Sequence, residues 1–160
     1  VGAATGAVAG LVGITPAAGF VTPLAAILMG SIVAFVCFYA VTLKAKLQFD
    51  DSLDTFPVHG VGGTVGAILT GIFATTEVNP AGKDGLLRGN FNQFLIQIVA
   101  VLIAYIFAAI GTFILLKIVD AIVGLRLTPE AEMQGMDINE HGEEAYNEEF
   151  AGERLTIPGE

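Results

Sequence analysis

Tryptophan is absent from this 160-residue chain, cysteine occurs once, and no charged residue lies within residues 1–43. A lone Cys37 inside an apolar run cannot form an intrachain disulfide, so it reads as a small core residue and says nothing about redox compartment. Basic residues are scarce too, with seven Lys and Arg against sixteen Asp and Glu and a net charge of −9. No basic patch exists to meet phosphates, which excludes nucleic-acid binding. The acids are also segregated: residues 126–160 hold ten of them against two bases.

What fills the chain instead is apolar, 54% of it hydrophobic with 20 glycines, which is too greasy for a soluble domain. Val1 is not an initiator methionine, and VGAATGAVAGLVGI is apolar from its first residue without the basic stretch that opens a signal peptide. The expectation is a partial helix over 1–14, in the C-terminal portion of a longer protein. Three further apolar runs, 23–43, 55–76 and 94–116, are long enough to cross about 30 Å of hydrocarbon at about 1.5 Å per helical residue. The fold class read from them is all-α, a polytopic transmembrane helix bundle. Its helices fall at 1–14 and about 23–43, 51–76 and 94–123, within a membrane region 1–125. An acidic tail, 126–160, follows.

Helix count sets relative sidedness, and the basic residues set the absolute one. Lys44, Lys46, Lys117 and Arg126 lie on one side and Lys83 and Arg88 on the other, which predicts a cytoplasmic C terminus in a multi-pass cell-membrane protein. Gly2, Gly6 and Gly10 recur every four residues, as do Gly63, Ala67 and Gly71, with Gly62 and Gly66 alongside. That spacing lets helix backbones approach closely. Phe91, Phe94, Phe107 and Phe113 read as lipid-facing or packing groups.

An ionisable side chain inside hydrocarbon is costly, which makes His59 the functional candidate. Helical spacing puts Thr55 and Phe56 one turn before it, with Gly62, Gly63 and Gly66 on the same side. That face suits a narrow passage for a small solute. With Asp54 as the N-cap and Pro57 in the first turn, His59 enters the membrane by only about 7 Å, and a start nearer Asp51 places it deeper. Asp54 points away from the histidine's face and reads as a supporting residue, capping a helix or tying two together. There is no nucleophile triad, no HExxH, no paired cysteines and no strand-borne phosphate loop, so neither an enzyme, a metal site nor a cofactor is indicated.

Three strings carry a resemblance: AGLVGITPAAGFV from Ala9, DDSLDTFPVHGVGGTVGAILTGIF from Asp50, and GLRLTPEAEMQGMDINEHGEEAY from Gly124. In that order they resemble the C-terminal part of the ammonium transporter family, with Pro57 standing where glycine is frequent. The resemblance implies a homotrimer of eleven-helix subunits built from inverted repeats, of which this chain supplies the last four helices. It implies transport of ammonium or ammonia through a hydrophobic pore in which two histidines relay a proton, His59 matching the second. Thr55 and Phe56 are then pore neighbours and Asp54 a structural acid. An ammonium sensor of the same fold and a Rhesus-type ammonia channel are the alternatives. The tail string further implies docking on the cytoplasmic face and a PII-type signalling partner.

Overall fold

The computed structural model describes residues 2–143. Helix α1 (Gly2–Ile14) runs into a 3-10 turn at Thr15–Ala17, and the chain reverses through Gly19, whose φ of +81° suits a residue without a side chain. Helix α2 (Pro23–Lys46) starts where Thr22 accepts the Ala25 N–H at 3.3 Å, with Pro23 in the position that needs no donor. Lys44 and Lys46 in its last turn complement the helix dipole. A π-helical turn, Phe56–Val61, leads directly into α3 (Gly62–Phe73). After a 3-10 turn at Leu86–Arg88 comes α4 (Phe91–Ile122).

Among the described residues, Pro23–Lys46, Phe56–Phe73 and Phe91–Ile122 are long and apolar enough to cross a membrane, and Gly2–Ala17 is a shorter apolar helix. Away from their first turns their backbone groups are satisfied within each helix, as hydrocarbon demands. Hydroxyls follow suit: those of Ser31, Thr42 and Thr70 each donate to the carbonyl four residues back, at 2.8 to 2.9 Å.

Two compact units, Val1–Ala109 and Ile110–Glu160, divide the chain. In the first, α1, α2 and α3 share a core of Ala9, Met29, Val33, Cys37, Val58 and Leu69, with Met29, Val33 and Pro57 fully enclosed. Lipid is as apolar as these side chains, so close packing rather than water exclusion holds them together. Glycine makes the closeness available. A Cβ at Gly66 would stand 2.3 Å from the Gly13 carbonyl oxygen, and one at Gly13 2.5 Å from a Val33 methyl. A Cβ at Gly2 or Gly6, the first members of the four-residue series, would meet nothing within 4 Å, and the contact on α1 is made by the third member, Gly10, and by Gly13.

The second unit holds the end of α4 and a short helix α5 (Pro129–Gln134), capped by Thr128 accepting from Ala131 N–H at 3.3 Å. Arg126 grips Glu132 through two N–H donors at 2.9 and 3.0 Å, and Asn139 Nδ2 donates to the carbonyls of Ala131 and Gly135, each at 2.9 Å. The described start of the acidic tail therefore carries local structure of its own. The remainder of that tail, 144–160, and with it the last residues of the GMDINEHGEEAY string, lies outside the described residues.

Candidate functional site

His59 sits in the π-helical turn, and the residues just before it determine how that turn begins. Asp51, not Asp54, is the cap: its two carboxylate oxygens accept the N–H groups of Thr55 at 2.9 Å and Phe56 at 2.8 Å. The Phe56 N–H is the largest influence holding the Asp51 carboxyl below the usual carboxylate range, with burial opposing it and Thr55 N–H and Lys44 adding to it. Asp54 turns the chain with a left-handed φ of +55° and pairs with Lys44 at 2.5 Å, tying the end of α2 to the start of the turn. Lys44 also donates to the Asp51 carbonyl.

The imidazole of His59 is exposed on the described bundle and makes no hydrogen bond or ion pair with any described residue. Thr55 is exposed one turn earlier. Phe56 has a different neighbourhood. Its ring lies over Gly60, where a Cβ would meet it at 2.8 Å, and tilts against Phe49 with centroids 6.2 Å apart. There it closes an apolar pocket of about 250 Å³ with Ala40, Leu43 and Leu47. The i→i+5 bonding of the turn fits more residues into each turn than an α-helix does, so each one advances less far round the axis and position i−3 falls further from the histidine's face than α-helical spacing supposes.

Beyond His59 the same face continues at four-residue intervals through Gly63 and Ala67. Both line a groove of about 300 Å³ between α3 and the first unit's part of α4, with Val101, Ala104 and Tyr105 opposite. At its edge Thr64 Oγ1 donates to the Gly60 carbonyl at 2.7 Å and lies 2.7 Å from the Tyr105 hydroxyl, which is 3.4 Å from that carbonyl. Because Tyr105 is near the middle of α4, His59 lies alongside the centre of the longest span rather than near its end. Sequence reasoning missed this hydroxyl pair. A tyrosine within an apolar run is the signal that was available.

At the other end of α3 a polar loop closes the hairpin to α4. Arg88 and Glu77 form a two-pronged pair at 2.6 and 2.8 Å, and Asp84 accepts the Thr76 N–H at 2.7 Å. Arg88 holds the Glu77 carboxyl low, and the Thr76 N–H does the same for Asp84. Among the described residues no three His, Cys, Asp or Glu side chains converge as metal ligands would.

Residues 1–146 match the model of the Ammonium Transporter Family. The chain belongs to the ammonium transporter family. It is 53% identical over 148 residues to an ammonium transporter of Bacillus subtilis, covering 92% of this chain and 37% of that protein. An ammonium transporter of Aquifex aeolicus is 48% identical, with 92% of this chain and 34% of the relative covered. Among solved structures, Saccharomyces cerevisiae Mep2 superposes with a TM-score of 0.70 at 41% identity, over 77% of this chain and 29% of Mep2. Candida albicans Mep2 gives 0.72 at 36% identity, over 96% and 34%. The chain thus spans about a third of the length of the curated relatives it matches. This member of the family is a membrane protein with the all-α transmembrane fold of an ammonium transporter.

Proposed function

We propose that the chain forms one wall of a pore that carries ammonium or ammonia across the cell membrane, with His59 as the group that meets the solute and relays a proton. The observation that carries this reading is the setting of His59. It is the one ionisable group within Phe56–Phe73, it stands level with the middle of α4, and among the described residues its imidazole has no partner, on an open face continued by Gly63 and Ala67. A polar group placed there without a partner is costly in a bilayer unless it faces a pathway. A neutral imidazole accepts one hydrogen bond and donates another, which is the equipment to hold ammonia and pass a proton to a second histidine across the pore. Membership in a family of transporters favours this role over a catalytic one.

In the same reading the wall belongs to a homotrimer, with each subunit enclosing its own pore. The C terminus lies in the cytoplasm, where the acidic tail docks and responds to a PII-type signalling protein. Thr55 stands at the pore face beside His59, while Asp54 and Phe56 support the turn from behind. The test is electrical. In the transport-competent protein that contains this chain, His59→Leu keeps bulk, removes both hydrogen-bonding functions, and should abolish ammonium-driven current while the trimer still assembles. Wild-type current from a correctly inserted variant would sink the relay.

A further inference from the structure

The hydroxyl pair at Thr64 and Tyr105 lies one residue from the peptide that carries His59, and its proton count is unambiguous. Thr64 has one hydroxyl proton, and at 2.7 Å that proton goes to the Gly60 carbonyl. The Tyr105 proton then goes to Thr64 Oγ1 at 2.7 Å, with the Gly60 carbonyl as a secondary acceptor at 3.4 Å. The result is a directed chain, Tyr105 to Thr64 to Gly60, in which each bond strengthens the next. It ends inside the π-helical turn, a rare geometry one residue out of register with ordinary α-helical bonding. A return to α-helical bonding would rotate His59 about the helix axis.

The other membrane hydroxyls noted above bond only within their own helix, whereas Thr64 also reaches a second one. That second helix, α4, also meets α3 at its start, where Gly71 faces Phe94 and Gln97, and Tyr105 adds a polar tie near its middle. We infer that Tyr105 and Thr64 are positioning residues for transport: their hydroxyl chain holds the π-helical turn and thereby aims His59. The inference rests on the pore reading of His59.

The test uses the transport-competent protein in proteoliposomes. Tyr105→Phe removes one oxygen and keeps the ring. Losing one hydrogen bond's worth of positioning should lower current per inserted protein about three- to tenfold. Half-saturating ammonium should move by less than about twofold, because the chain acts on the histidine's aim and not on entry. Amide hydrogen exchange across residues 60–64 should quicken, and the ring-nitrogen resonances of His59 should shift. Thr64→Ser should behave as wild type and Thr64→Val as Tyr105→Phe, a pair that also decides the matter if Tyr105→Phe fails to insert. Wild-type current in Tyr105→Phe, unchanged exchange, or an equal loss in Thr64→Ser overturns the inference. Full current in His59→Leu fails the pore reading instead and removes the purpose of the clamp, whereas the exchange measurement still reports whether the hydroxyl chain exists.

Discussion

Of the three long spans, Phe56–Phe73 is the least hydropathic and the most buried, while Phe91–Ile122 is the most hydropathic and has no buried residue. In a soluble protein the ranking would run the other way. Inside a bilayer, apolar surface gains nothing by leaving lipid, so a helix is drawn inward by how closely its backbone can be approached. The first of these spans offers Gly62, Gly66 and Gly71 to its neighbours, and α4 offers large side chains such as Ile106 and Phe107 to whatever surrounds it.

The sharpest way to break that contrast is to put the same methyl on each helix. At Gly66 the new Cβ would press on the main chain of Gly13, which cannot swing aside, so Gly66→Ala should cost at least the ~1–3 kcal/mol typical of overpacking. A marked drop in thermal unfolding temperature in detergent is the expected readout. An unchanged melting temperature would mean that α1 and α3 are not in backbone contact.

A smaller effect is expected from acid. The carboxyls of Asp51 and Asp84 are both held below the usual range, so each stabilises the fold above its unfolded value, and that contribution is lost as pH falls through the lowered folded value. Acidification below about pH 4 should therefore loosen both ends of the α3 span. Amide exchange at Thr55, Phe56 and Thr76 should quicken, while the middle of α4 stays as protected as before. Asp51→Ala should reproduce the change at Thr55 and Phe56 at neutral pH. Equal loosening along α4 would show that the two spans are not held independently.

The smallest effect belongs to Gly111→Ala. Nothing stands within 4 Å of a Cβ at that position, so the substitution should be neutral or stabilise the helix by about 0.5–1 kcal/mol. A loss of stability there would identify another helix covering that face of α4.

How much of this was legible in the sequence depended on range. Pro23 after Thr22 announces the start of α2 through contacts confined to four residues. The start of the third span was not legible in the same way. Asp50, Asp51, Ser52 and Asp54 are all competent caps, and the choice of Asp51 for capping and Asp54 for bridging depends on Lys44 arriving from another helix. The π-helical turn departs from the α-helical spacing that sets Phe56 one turn before His59, and the Phe56 ring lies over Gly60, the next residue after it. The four-residue glycine series pointed correctly to close approach at Gly10, while Gly2 and Gly6 make none and Gly13, outside the series, makes the tightest contact on α1. Thr64 and Tyr105 are 41 positions apart, and no local pattern joins them.

Gly66 and Gly13 meet main chain to main chain. Where two helices meet through side chains, their separation is a matter of fit and drifts with each substitution. Here it is set by atoms that every amino acid shares, a carbonyl against an α-carbon. The interval between α1 and α3 is therefore a fixed gauge, and variation elsewhere in the chain is measured against it without altering it.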